Sequence, residues 1–570
     1  MLDAVETALE GERESISQQD IYHSLANHRI PAVRVVYRIL SKSFSTDLRS
    51  LALFRMAIAV TMLIDLYGRL DGFSFFYTDD GCFPVEQYKQ VRGDRYSLHY
   101  FSGSFEWQGF LFALHAVVSV LAFFGVYTRV SWLCMWVLLI SLHSRNEMVL
   151  NGGDHFFRLI TFWGLFLPLG SVASVDSLSR LPRSGKDKKR RRGLLSSVKQ
   201  LFGQFTQPLP ENGRYFSVAV AALILQFGFM YWFTAALKSG RSWRVDFDAM
   251  EKALHNHLFS RETATLFMVL PTSVLKLMTW FTFWFEVGAP FLLFVPIFGD
   301  YFRFLTIVSV IIFHGVMGLA MSVGLFTITP MVAMLGLLPP LFWETLISWF
   351  SSSSEGVSNT PPKLSHRLYG RRRVPQEVVV LMLILVCTNW NLALQHPTWW
   401  PLPKLEPFVQ MIRIDQWWAM FAPNVPSMSF WFIHRGTLKD GTKVDLFRDR
   451  KDPATISLRP DVASHDFRTQ RWRRFYTKFS DEIRNLKDRG RCLPQYLCER
   501  WRENNEWDPK NPLIKASSEM CVESWQDYEF YKPVKPRHRP SKLIPDYQCR
   551  WPDVPDSSAQ VSDGSSQDEY

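Results

Sequence analysis

Apolar and polar positions are segregated along this chain. Long apolar runs occupy residues 51–67, 107–127, 130–149, 156–169, 215–237, 273–295, 302–321, 326–348 and 378–394, and polar stretches separate them. A bilayer hydrocarbon core of about 30 Å takes roughly 20 residues of helix. The pattern therefore predicts an all-α polytopic membrane bundle of about nine spans. Several runs are short or carry proline, so eight to ten spans fit the same pattern. Residues 1–49 and 396–570 are polar by comparison. The expected division is an N-terminal segment (1–49), a transmembrane domain (50–395), a C-terminal tail (396–550) and a disordered end (551–570).

The tail carries patterns of its own, and a small α+β region is expected there. Two alternating segments across 430–447 flank Asp440-Gly441, a favoured tight-turn pair, and predict a β-hairpin. Phe475, Phe479, Ile483 and Leu486 follow helical spacing and predict an amphipathic helix over 473–488. The last fifteen residues are rich in Ser, Asp and Gln, a composition that does not bury a core.

Charge orients the bundle. The chain carries a formal +11, a balance that in a soluble protein points to nucleic acid. Here the excess falls largely in two loops. One holds Lys186, Lys188, Lys189, Arg190, Arg191 and Arg192; the other holds Arg367, Arg371, Arg372 and Arg373. Positive loops stay cytoplasmic, and an even number of runs separates these two, so both obey the rule together. Arg129, between the second and third runs, agrees. The partner this predicts is the lipid bilayer and not nucleic acid. The N-terminus is placed in the cytoplasm and the tail outside it, lumenal in an endoplasmic reticulum or extracytoplasmic at a bacterial plasma membrane. Residues 1–49 lack the apolar core of a cleavable signal, so the first run reads as a signal anchor. Of seven cysteines, Cys82, Cys492, Cys498, Cys521 and Cys549 fall on the outer side, where disulfides are plausible. None forms a CxxC pair or a Cys/His cluster at metal spacing, and no metal is expected.

Ionisable residues inside spans are expensive and usually face the protein interior. Arg55 and Asp65 lie in the first run, either paired with other helices or snorkelling at its ends. Glu286 lies deep in the sixth run before Gly288 and Pro290, where it marks either a polar cavity or an ion pair fixing helix packing. His314 lies in the seventh run, as an interhelical hydrogen-bonder or a catalytic group. In Asn151-Gly152-Gly153-Asp154 the glycines allow close backbone approach, and helix capping alone accounts for Asp154. Lys238 ends the fifth run. Position alone makes it a snorkelling lysine. The alternative is chemical: a lysine desolvated among apolar groups loses its proton more easily, and a neutral amine is a general base.

At these residues a family resemblance appears. Leu53-Phe54-Arg55, Tyr77-Thr78-Asp79-Asp80-Gly81, Asn151-Gly152-Gly153-Asp154 and Trp418-Ala419-Met420-Phe421-Ala422-Pro423 resemble the HTTM (horizontally transferred transmembrane) family, over about residues 51–501. The vitamin K-dependent γ-carboxylases are its best understood members. Residues 231–243 resemble the segment carrying their catalytic lysine, with Lys238 at its place. Phe313-His314 and Ser322-Val323-Gly324-Leu325-Phe326 resemble another membrane segment of that enzyme.

The resemblance implies Lys238 as the base on reduced vitamin K or another quinol, with His314, Asp154 and Asn151 as further candidate catalytic residues. It implies O2 and CO2 as co-substrates. The quinol becomes an epoxide through a strongly basic intermediate, which takes a γ-proton from a glutamate-containing peptide, and the carbanion captures CO2. The chain departs from the carboxylases where they carry Asn-Asn-His: here Asn151-Gly152-Gly153 stands, and His155 lies two residues on. Its tail is also shorter than their lumenal region.

Three functions are therefore weighed. The first is a carboxylase-like enzyme using a membrane quinol, in which Lys238 is essential. The second is a transporter or channel, for which Pro290 and Pro330 interrupt hydrophobic segments without internal symmetry. The third is a maturation factor or scaffold acting through its tail.

Overall fold

A computed structural model describes residues 31–92, 95–180, 200–206, 214–351, 374–395, 405–426, 428–447, 467, 469–482, 492–503, 508–524 and 539–549. The two basic loops and the final fifteen residues lie outside the described residues, as do Ile483 and Leu486.

The chain enters through helix α1 (Pro31–Ser43), strand β1 (Ser45–Asp47) and helix α2 (Leu48–Gly68). Helices α3 (Phe105–Phe124), α4 (Thr128–Arg145) and α5 (Gly152–Gly164) follow. Strand β2 (Arg214–Phe216) pairs with β1 and leads into α6 (Val218–Leu237). Then come α7 (Thr272–Leu292), α8 (Gly299–Ala320), α9 (Leu325–Leu335), α10 (Pro340–Ser351) and α11 (Val374–Gln395). Short helices fill several of the connections. Caps fix the ends that the apolar runs leave ambiguous. Ser217 caps α6, Ser104 caps α3, and Asn151 opens α5 in a reciprocal capping box with Asp154.

The protein is largely helical, and several helices are long and apolar enough to cross a membrane. Among the described residues, five qualify singly, and seven if each of two bent pairs is one span. This is fewer than the nine expected. The third and fourth runs account for part of the difference. Helix α5 has 13 residues and is about 20 Å long, short of a bilayer core, and every residue from Gly153 to Gly164 except His155 is buried within the protein. Helix α4 closes on His143 and Arg145, both buried. The chain bends by 108° just before the sixth run, at the start of α7, and the eighth run bends by 82° between α9 and α10. A run of apolar residues records burial and does not distinguish lipid from protein as the surrounding medium.

The tail is α+β, as expected. Strands β3 (Met428–Leu438), β4 (Lys443–Asp445), β5 (Leu513–Ser524) and β6 (Arg539–Gln548) form an antiparallel sheet in the order β4-β3-β5-β6. The hairpin turns at Asp440-Gly441, with Gly441 at φ +87°. Helices α12 (Gln470–Glu482) and α13 (Cys492–Glu503) pack beside the sheet. Helix α12 begins three residues earlier than its apolar spacing predicts. The added first turn places Arg471 and Trp472, both buried, in the helix. Disulfides Cys82–Cys492 and Cys498–Cys549 tie α13 to the connection between α2 and α3 and to the end of β6, and Cys521 is buried.

Candidate functional site

Two buried charge clusters stand out among the described residues. The first joins the tail to the helices. Asp65 lies in the last turn of α2, four residues before Arg69, whose Nε donates to it at 2.8 Å. Asp154, in the first turn of α5, accepts from Arg69 Nη2 at 3.0 Å and from Arg471 of α12 at 2.6 Å through each guanidinium terminus. Arg471 Nη2 also reaches Asp65 at 2.5 Å, and Arg69 Nη1 donates to the Tyr77 hydroxyl at 2.8 Å. Two carboxylates thus face two guanidinium groups with nearly all solvent excluded.

His143 stands 3.7 Å from Asp154, so Asp65, His143 and Asp154 bring potential metal-ligand atoms together. The donor set does not favour an ion, because both carboxylates are already engaged by arginines that a dication would have to displace. Asp65 is therefore paired and does not snorkel. Arg55 is likewise buried, donating to the carbonyls of Leu169 at 2.9 Å and Ala173 at 2.5 Å.

The second cluster is smaller and faces open space. Helix α6 ends at Leu237, and Lys238, its C-cap, turns inward with 3 % of its surface exposed. Its Nζ donates to both carboxylate oxygens of Glu286 on α7, at 2.5 and 2.6 Å, and lies 4.1 Å from the centre of the Trp243 ring. One side is thus an ion pair and the other an aromatic face, which attracts a cation. Position alone predicts a snorkelling head; the opposed carboxylate draws it inward instead. Near Glu286, the Val287 carbonyl accepts from Trp232 Nε1 at 3.1 Å.

Lys238, Glu286 and Trp243 line a cavity of about 1070 Å³. Its walls are mostly apolar and aromatic. Leu277, Trp280, Phe281, Ile312 and Val316 both line it and are exposed on the outer surface of α7 and α8. At the tail side the lining passes to Gln470, Arg473, Arg474 and Lys478 of α12. Arg473 donates to the carbonyls of Leu258, at 3.0 Å, and Ser322, and stacks over Phe259. Burial, then the neighbouring charges of Arg474 and Arg261, push its guanidinium down to about 9.

The remaining candidates distribute as follows. Asn151 lines the cavity, but its Oδ1 is committed to the backbone N–H groups of Gly153 and Asp154, at 2.7 and 3.2 Å. Asp154 belongs to the first cluster and does not line the cavity. His314 sits one layer back, with Nε2 2.8 Å from the hydroxyl of Tyr231, which does line it. His155 also lines the cavity. Gly153 is required by packing: a Cβ there would stand 2.2 Å from the Phe326 backbone nitrogen, where α5 crosses the start of α9.

Segment 418–423 folds against the lysine region. The Trp418 carbonyl accepts from Thr234 at 3.1 Å, the Phe421 carbonyl from Trp243 Nε1 at 2.8 Å, and the Pro423 carbonyl from the Gly240 N–H at 3.1 Å. Sequence reasoning leaves Tyr231, Trp243 and Arg473 out of the site and gives Glu286 no partner. Glu286 carries a signal, as the lone acid deep in its run.

A third charge group lies nearby. Asp415 sits between Arg158, at 3.3 Å, and Arg413, at 3.6 Å, and Glu147 joins Arg413 to Arg95. Burial would raise the Asp415 carboxyl, but Arg158 and Arg413 outweigh it and hold it well below the usual carboxylate range.

No family model matches the chain, and neither does any curated protein or solved structure.

Proposed function

We propose that the protein is a membrane enzyme in which Lys238 deprotonates a lipid-soluble quinol, reduced vitamin K or a related compound, held in the cavity between α6, α7 and α8. The observation that carries this reading is a buried lysine–glutamate pair opening onto a large apolar cavity whose outer wall is itself exposed. Pockets that bury organic ligands commonly have volumes of about 300–1,000 Å³, so a quinol head and part of an isoprenoid tail fit.

Glu286 gives Lys238 its chemistry. Where water is excluded, the ion pair competes with the neutral amine and acid. Transfer of the Lys238 proton to Glu286 frees an amine lone pair. The amine then takes the proton of the quinol O–H, leaving a quinolate and an ammonium. O2 is the oxidant that converts the quinolate to the epoxide: one of its oxygen atoms enters the epoxide, and the other takes the remaining quinol hydrogen and leaves as hydroxide. A glutamate-containing peptide and CO2 are the further reactants if carboxylation is retained, and the peptide enters from the tail side. The two disulfides support a tail in an oxidising compartment, lumenal or extracytoplasmic, opposite a cytoplasmic N-terminus.

The test is oxygen-dependent epoxidation of reduced vitamin K by the solubilised protein, beside Lys238→Ala. Epoxide formed by the native protein and lost in the variant, at equal monodisperse yield, is the expected result. No epoxide from a folded native protein rejects vitamin K as the quinol.

A further inference from the structure

Helix α1 has features that the cavity does not explain. Its sequence, PAVRVVYRILSKS, contains no acidic residue. Successive residues turn by about 100°, which gathers Arg34, Arg38 and Lys42 into one stripe. Val33, Tyr37 and Ser41 form the neighbouring, half-buried stripe, with the Tyr37 ring edge-on to Phe216 of β2. Val35, Val36, Ile39 and Leu40 complete the apolar arc, yet they are 55, 54, 44 and 42 % exposed. Four large aliphatic side chains on one short helix are thus uncovered over much of their surface among the described residues.

The position of the helix indicates what covers them. Its last residue is locked to the turn between α7 and α8. Ser43 Oγ donates to the Phe294 carbonyl at 2.7 Å, and Arg303 donates to the carbonyls of Ser43 and Ser45 at 2.6 Å. That turn exposes Ile297, Phe298 and Tyr301. Candidate span α2 begins five residues after α1 ends. The uncovered arc is therefore continuous with the end of the membrane-crossing bundle, and the basic stripe runs along its margin.

We propose that α1 is an interfacial helix seated in the bilayer surface, with Val35, Val36, Ile39 and Leu40 among the acyl chains and Arg34, Arg38 and Lys42 binding anionic phospholipid headgroups. An apolar face beside a basic one is the composition that holds a helix in the plane of an anionic leaflet. Each Lys or Arg near such a surface adds attraction that zwitterionic lipid does not supply. The proposal is independent of the chemistry assigned to Lys238.

The test uses the full chain in lipid nanodiscs, with Cys134→Ser removing the exposed free cysteine and Ile39→Cys carrying a bimane fluorophore. Brominated phosphatidylglycerol and brominated phosphatidylcholine are compared as quenchers at equal mole fraction, with aqueous iodide as the third. Quenching by both lipids and protection from iodide are expected. The anionic lipid should quench at least about twofold more strongly. Arg34→Gln/Arg38→Gln/Lys42→Gln should abolish that difference while quenching by phosphatidylcholine persists, a readout that unfolding would not give. Quenching by iodide alone would place the arc in water. Protection from all three quenchers would mean that protein covers it. Equal quenching by the two lipids in the native sequence would remove headgroup recognition. Any of these overturns the proposal.

Discussion

The two buried clusters differ in what surrounds them. Around Asp65 and Asp154 every carboxylate oxygen meets an arginine or a backbone N–H, including the Asn151 N–H at 2.8 Å from Asp154. Around Lys238 there is one carboxylate, one ring and open volume. A saturated network has no bond left for a substrate, and its geometry joins α2, α5 and α12. An ammonium–carboxylate pair beside a cavity retains a proton that can pass within the pair, and space for a group that would give up its own proton to the freed amine. Burial of charge is common to both; the distinction lies in whether the hydrogen-bonding capacity is exhausted.

That contrast can be broken experimentally. Arg471→Ala should have the largest effect, because it leaves Asp65 and Asp154 sharing Arg69 in a dry site. Removing one partner from a buried network costs about 3–5 kcal/mol, and a steep loss of monodisperse protein and melting temperature is expected. A melting point within about a degree of the native one would reduce the network to a surface-type contact.

Asp415→Asn should follow, since it strands Arg158 and Arg413. A carboxyl held below its ordinary value contributes stability that is fully present above its unfolded value, about 3.9, and is lost as pH falls through the folded one. The native melting temperature should therefore fall below about pH 4, and the Asn variant should show a shallower decline over the same range. Parallel acid limbs would assign the transition to other carboxylates.

At the other cluster the same kind of change should act on chemistry. Lys238→Ala should lower quinol turnover by about 10²–10⁴-fold, the usual contribution of a general base. Its effect on melting should stay below that of Arg471→Ala, because Glu286 can protonate and remain buried. Loss of the fold in Lys238→Ala, at the level of Arg471→Ala, would erase the distinction between the two clusters. The smallest change is Asn151→Ala, which removes a helix cap and should cost about 1 kcal/mol. A loss of turnover on the order of a thousandfold without loss of stability would make Asn151 part of the chemistry.

Several of these residues are legible in the amino-acid sequence. Glu286 and Lys238 stand out because a charge in an apolar run demands a partner, and Asp154 is readable as a cap from Asn151-Gly152-Gly153-Asp154 alone. The role of Tyr231 is not legible, because an aromatic residue in a span is ordinary until His314 is placed 2.8 Å from its hydroxyl. Helix α1 escapes notice for a related reason. Its apolar residues are too few for a run of spanning length, and only their helical phase reveals the face.

The sequence by itself determined the apolar segments, the polar tail with its Asp440-Gly441 hairpin, and the short list of charges that had to be reconciled with an apolar surrounding. These are local properties, set by side-chain hydrophobicity and turn stereochemistry. Only the tertiary structure decided that the fourth run is a 13-residue helix buried in protein, that Cys82 pairs with Cys492, that Arg471 closes the Asp65–Asp154 cluster, and that Glu286 meets Lys238. The partners in those pairs are separated by 410, 406, 317 and 48 positions. Which charge neutralises which is fixed by how the helices pack, and neither periodicity nor composition along the chain records it.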